Sequence, residues 1–105
     1  FSTIAVDIAL KGESVYVASK SGVEAFSRVF AKELSDFNIR VNCISPGPID
    51  TNLIKGLNAN MIESIISQQV LKRQFNTQDI CDLIELLLDP KASSLSGQVL
   101  NVGGR

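Results

Sequence analysis

The sequence predicts an α/β fold built on a parallel sheet. Three observations carry that expectation. Long segments place apolar residues three to four apart, short β-branched runs alternate between them, and prolines or glycines punctuate the junctions. In chain order they give helix, strand, loop, helix, helix, strand, and strands separated by helices form parallel sheets.

The first helix is expected over residues 14–36. Val23, Phe26, Phe30 and Leu34 form one apolar stripe, and Ala18, Gly22, Ala25 and Val29 a second beside it. Two adjacent stripes predict a helix buried on more than one side. The small residues along the second stripe would let another backbone approach closely. Glu24 and Arg28 then form an i, i+4 pair on the remaining face. Asn38 suits the left-handed position that follows a helix. Residues 39–44, Ile39-Arg40-Val41-Asn42-Cys43-Ile44, alternate as a strand does, and Ser45-Pro46-Gly47-Pro48 ends it because proline lacks the ladder donor. Asn58 or Asn60 can cap a helix with Met61, Ile62, Ile65, Ile66 and Val70 on one face. Asn76 or Thr77 can cap another, with Ile80, Leu83, Ile84, Leu87 and Leu88 apolar and Pro90 just past its end. Ser96-Gly97 turns into a last strand over residues 98–102. Two strands leave long sheet edges bare, so more sheet is expected upstream of Phe1.

At 105 residues the chain is one domain at most. Hydrophobic residues make up 45% and charged residues 20%, which excludes disorder as a global description. Ten Lys+Arg against eleven Asp+Glu give a formal charge of -1, which argues against nucleic acid as a partner. No apolar run reaches the roughly 18 residues of a membrane span, and no signal peptide is visible, so a cytoplasmic protein with no membrane partner is expected. The chain contains no histidine. That excludes histidine-based triads and histidine-containing zinc sites within it, and no metal is expected. Cys43 and Cys81 lack metal-ligand spacing and are expected to be reduced and buried.

Chemistry enters at Tyr16-Val17-Ala18-Ser19-Lys20, where Tyr16 and Lys20 stand four apart and share a helix face. A phenol, with a reference pKa of about 10, is a poor acid–base catalyst at neutral pH. A nearby ammonium stabilises the phenolate. The pair is therefore suited to delivering a proton to a carbonyl oxygen, although the spacing alone is a short motif that also occurs on plain surfaces.

The surrounding residues add to it. The run Tyr16-Val17-Ala18-Ser19-Lys20-Ser21-Gly22-Val23-Glu24-Ala25-Phe26 is followed by Ala31-Lys32-Glu33-Leu34. Next come Asn38-Ile39-Arg40-Val41-Asn42-Cys43-Ile44-Ser45-Pro46-Gly47-Pro48-Ile49-Asp50-Thr51, then Asp79-Ile80, then Ser96-Gly97-Gln98-Val99-Leu100-Asn101-Val102-Gly103-Gly104. In content, order and spacing these pieces resemble the short-chain dehydrogenase/reductase family, over nearly the whole chain. Within that family they look most like the 3-oxoacyl-[acyl-carrier-protein] reductase-like enzymes.

The resemblance implies the C-terminal half of a Rossmann-type, doubly wound parallel sheet in three α/β/α layers, with the N-terminal half missing. Residues 1–105 would be part of an NAD(P)-binding domain, and about 51–73 its substrate lid. Tyr16 would be the general acid in carbonyl reduction and the base in alcohol oxidation. Lys20 would favour the phenolate and hydrogen-bond the nicotinamide ribose. The family's catalytic hydroxyl falls on Ser2 or Thr3; loop length does not decide, and Ser2 is preferred because serine is usual there. Pro46, Gly47, Ile49 and Thr51 would line the cofactor, Ile49 at the carboxamide and Thr51 toward the pyrophosphate, as loops at the carboxyl ends of parallel strands do.

The family's glycine-rich turn is absent from these residues, as is the residue that chooses NAD or NADP. NAD(P)H is therefore expected in a full-length parent, with weak or no binding by this chain alone. The family's usual Asn-Val-Asp-Gly-Gly reads here as Asn101-Val102-Gly103-Gly104. The parent would act on a small-molecule carbonyl or alcohol, as a homodimer or homotetramer joined through the helix about 14–36 and the C-terminal strand. A competing reading is a truncated, catalytically inactive fragment that only self-associates through the long helix.

Overall fold

The computed structural model describes all 105 residues, the side chain of Leu53 excepted. The chain starts beside a strand. Ser2 N–H donates to Ile44 O at 2.8 Å and Ile4 N–H to Pro46 O at 2.9 Å. The two bonds advance together by two residues, as in parallel pairing. Thr3 then turns the chain into a short helix, α1 (Ile4–Asp7), its hydroxyl accepting from Ala5 N–H at 3.3 Å. The long helix α2 spans Ser14–Glu33 and ends in a 3-10 turn at Ser35–Phe37. Asn38 takes the left-handed conformation expected of it, at φ 55° and ψ 35°. Strand β1 (Cys43–Ser45), helices α3 (Ala59–Ser67) and α4 (Thr77–Leu88), and strand β2 (Val99–Asn101) follow.

β1 and β2 pair in parallel, with Cys43, Ile44 and Ser45 opposite Val99, Leu100 and Asn101. Both strands are shorter than expected at their N-terminal ends. Val41 N–H meets the Ser96 hydroxyl rather than a backbone carbonyl. The Arg40 guanidinium reaches Leu87 O at 2.6 Å and Leu95 O at 3.1 Å, closing the exposed end of α4. Asn42 bonds Leu95 O and Gln98 N–H through its amide. Side chains thus interleave with the backbone bonds Gly97 N–H to Val41 O at 2.7 Å and Cys43 N–H to Gln98 O at 2.8 Å. The bare edge expected at β1 is in fact covered by residues 2–4.

Ile44, Phe75, Ile80 and Val102 form the buried core, with Leu83, Ile84 and Leu87 of α4 packed on it. Strand alternation sends Ile44 to the α4 side and Cys43 and Ser45 to the other, from which α2 packs on β1. Caps set the helix starts. Asn58, not Asn60, caps α3. Asn76, not Thr77, caps α4 in a reciprocal box with Asp79, at 3.0 and 2.8 Å. Arg73 forks onto the same carboxylate at 3.0 and 3.3 Å and lies 4.0 Å over the Phe75 ring. The hydrogen bond from Arg73, then that from Asn76 N–H, holds the Asp79 carboxyl below its ordinary value, and the same pair raises the Arg73 guanidinium.

Four expectations are corrected. The chain buries only one face of α2, through Glu24, Ser27 and Ala31, while Phe26 and Val29 stay exposed. Glu24, expected on the outer face, is 7% exposed because it receives the Ser2 hydroxyl. Cys81 is exposed on α4, whereas Cys43 is buried as expected. Val70 lies past the end of α3, and both it and Leu88 are exposed. At the C-terminus the missing aspartate leaves the turn intact, since Gly103 and Gly104 adopt φ 85° and 73° and Gly104 N–H closes onto Asn101 O. No helix among the described residues is long and apolar enough to cross a membrane.

Candidate active site

A cleft of about 500 Å3 opens at the carboxyl end of β1, where parallel sheets hold their ligands. Every residue singled out from the sequence lines it. Ser2 and Thr3 come from the segment beside β1, and Tyr16 and Lys20 from the first turns of α2. Pro46, Gly47, Ile49 and Thr51 come from the stretch after β1. Ile54, Leu57 and Ile65 close the far side, so the segment named as a lid contributes apolar wall.

The two hydroxyls differ in what they still offer. Ser2 is 4% exposed and donates its only hydrogen to Glu24 Oε1 at 2.5 Å. Arg28 meets the other Glu24 oxygen at 3.3 Å. The half-buried Thr3 uses its oxygen as an acceptor for Ala5 N–H, so its hydrogen remains available. Tyr16 is 40% exposed, and the Lys20 ammonium lies 5.9 Å from its ring centroid while donating to Phe1 O at 3.3 Å.

Gly47 presents bare backbone to the cleft. A Cβ there would stand 2.0 Å from Gln69 Oε1, so the chain approaches this closely only as glycine. Gln69 is 1% exposed, and its amide donates to Leu71 O at 3.2 Å and Arg73 O at 3.0 Å. Its Oε1 is buried with no partner among the described residues. Below this loop, Arg105 uses all five donors of its guanidinium. Nε meets Asp7 at 2.8 Å, Nη1 meets Val102 O and Gly104 O, and Nη2 meets the backbone and hydroxyl oxygens of Ser45. α1, β1 and the C-terminal turn are therefore fastened together under the cleft.

The residues present fit one end of a dinucleotide. Pro46, Gly47, Pro48 and Ile49 give a largely apolar wall, and Tyr16 and Lys20 give donors beside it. No glycine-rich strand-to-helix turn faces them in the sequence. Among the described residues no three His, Cys, Asp or Glu side chains gather as metal ligands would.

Sequence reasoning missed Glu24, Gln69, Asp7 and Arg105. For Glu24 a signal existed: Tyr16, Lys20 and Glu24 recur every four residues and so share one face of α2. Arg105 carried none, because its partners Asp7 and Ser45 are remote in sequence, and nothing in the sequence places Gln69 against Gly47.

The family model described as Enoyl-(Acyl carrier protein) reductase matches residues 1–104. The 3-oxoacyl-[acyl-carrier-protein] reductase of Chlamydia muridarum is 39% identical over 93 residues, which are 89% of this chain and 38% of that protein. An NADPH-dependent aldehyde reductase of Arabidopsis thaliana chloroplasts is 38% identical over 90 residues, 85% of this chain and 33% of that protein. Among solved structures, a 4-hydroxyisoleucine dehydrogenase complexed with NADH superposes with a TM-score of 0.85 at 33% identity, covering 98% of this chain and 44% of that one. A short-chain type dehydrogenase/reductase from Mycobacterium ulcerans gives the same score and identity over 96% and 38%. The chain thus spans about two fifths of the length of the curated relatives it matches.

Proposed function

The chain belongs to the short-chain dehydrogenase/reductase family, among its 3-oxoacyl-[acyl-carrier-protein] reductase-like members, and from that premise we propose that it is the C-terminal, proton-transferring part of a longer NAD(P)-dependent oxidoreductase that reduces small carbonyl compounds or oxidises the corresponding alcohols. The observation that carries the proposal is the convergence of Thr3, Tyr16, Lys20, Pro46, Gly47, Ile49 and Thr51 on one cleft. A bound nicotinamide supplies the hydride for the carbonyl carbon. The Tyr16 hydroxyl supplies the proton to the carbonyl oxygen, so the products are the alcohol and the oxidised cofactor. Lys20 stands one turn along α2, near enough to favour the tyrosinate left behind. Thr3, rather than the preferred Ser2, donates the hydrogen bond that polarises the carbonyl, because Ser2 has spent its hydrogen on Glu24. Pro46, Gly47, Ile49 and Thr51 seat the nicotinamide end, and residues 51–73 close over the substrate.

The cofactor's pyrophosphate anchor belongs to the remainder of the domain, so the 105 residues alone bind NAD(P)H weakly. Self-association is part of the same reading: Phe26 stacks on Phe30 at 5.0 Å, and Phe26 and Val29 stand exposed on α2. The working compartment is the cytoplasm. The test is cofactor oxidation by the full-length protein with a panel of ketones and aldehydes. Tyr16→Phe is expected to lower kcat roughly 100- to 10,000-fold. A Tyr16→Phe enzyme as fast as wild type overturns the assignment of the acid.

A further inference from the structure

The cleft is lined mostly by apolar side chains, with one acid, Glu13, and one amine, Lys20. The ammonium of Lys20 already has Phe1 O and the Tyr16 ring. Glu13 is different. It is half-buried, and its backbone is fixed at both ends, N–H to Leu10 O at 3.2 Å and carbonyl from Val17 N–H at 2.7 Å. Its carboxylate does not cap α2 and joins no ion pair among the described residues. It stands three residues before Tyr16, about one helical turn from the group that meets the reacting oxygen.

A carboxylate partly withdrawn from water gains most from a ligand that brings a donor to it. The same charge disfavours a second anion at close range. Among the described residues no lysine or arginine stands within ion-pair distance of it. We propose that Glu13 sets substrate specificity: it selects carbonyl compounds bearing an ammonium or hydroxyl donor on the carbon next to the carbonyl, and disfavours those in which that neighbouring carbon is itself a carboxylate. This rests on the reductase reading above and narrows it to a substrate class.

Four ketones of the form CH3–CO–X separate the terms, with X an ethyl group (butanone), CH2OH (hydroxyacetone), CH2NH3+ (aminoacetone) or COO– (pyruvate). The full-length protein is assayed at neutral pH with NADPH and with NADH. Expected is a kcat/KM for hydroxyacetone and aminoacetone above butanone, and for pyruvate about tenfold below it. In Glu13→Gln the amide oxygen still accepts from hydroxyacetone, while the ratio of aminoacetone to pyruvate falls about tenfold, mainly through KM. In Glu13→Ala the hydroxyacetone advantage over butanone is lost as well. A wild-type protein that reduces pyruvate or butanone as well as the donor-bearing pair overturns the proposal without needing a variant. So does an aminoacetone-to-pyruvate ratio unchanged in Glu13→Gln. Either result leaves the reductase reading standing, as does turnover of other ketones or aldehydes of the panel but of none of these four, which overturns this inference alone; no turnover across the whole panel with either cofactor overturns both.

Discussion

A hydroxyl has one hydrogen to give, and Ser2 and Thr3 spend theirs differently. Ser2 Oγ is fixed to Glu24 inside the protein, while Thr3 keeps its hydrogen at the cleft. Thr3→Val is therefore expected to slow the full-length enzyme by about 100-fold, beside a loss of about 1 kcal/mol from the α1 cap. Ser2→Ala is expected to leave the rate much less changed while costing about 1–3 kcal/mol through a buried carboxylate left short of a donor. Steady-state kinetics beside thermal melts check both, and exchanged phenotypes would return the catalytic role to Ser2. The pair was legible in sequence only as an ambiguity, because two adjacent hydroxyls fit one motif position and only the partner across 22 residues tells them apart. Gly47 makes a second residue-scale case. Gly47→Ala drives a methyl into the buried Gln69 amide, an overpacking expected to cost about 1–3 kcal/mol in urea unfolding.

Helix α4 shows what sequence reads well at the level of an element. Asn76 and Asp79 are three apart, and a capping box needs only that local spacing. Asn76→Ala is expected to cost about 1 kcal/mol. Asp79 adds a pH dependence of known sign. Its carboxyl is held below the ordinary value of 3.8 by Arg73 and Asn76 N–H, so the unfolded chain takes up that proton at higher pH than the folded one. Its contribution is complete above the ordinary value and is lost as pH falls through the folded one. Acid titration followed by circular dichroism should show a shallower loss in Asp79→Asn below about pH 4 than in wild type. The strands were less legible. Their expected starts failed because Arg40, Asn42 and Ser96 intercept backbone groups across more than 50 residues, which alternation within a segment cannot report. On α2 the helix was legible but its buried face was not: Glu24, Ser27 and Ala31 belong to neither apolar stripe, and Ala18, Gly22, Ala25 and Val29 are exposed.

At the scale of the whole molecule, α2 leaves neighbouring apolar side chains open to solvent. Phe26 is 62% exposed and Val29 55%, and exposed apolar side chains grouped on one helix face mark an interaction surface. Val29→Glu in the full-length protein is expected to shift sedimentation toward smaller species while the far-ultraviolet spectrum stays unchanged. An unaltered sedimentation profile would move the contact off this face. The cleft itself was the most legible part of the molecule, since Tyr16, Lys20 and residues 46–51 each sit in contiguous motifs. What fastens the cleft from beneath was not, because the Asp7–Arg105 contact joins positions 98 apart.

That contact also has a meaning in time. A ribosome delivers Asp7 first and the guanidinium that holds it 98 residues later, so residues 2–4 can pair with β1 long before α1 is clamped to the C-terminal turn. At about 5–20 residues per second, the wait is seconds, long compared with the formation of α2 itself. During that interval the segment carrying Thr3 lacks its second anchor, and the fastening beneath the cleft is complete only with the last strand and the turn that follows it.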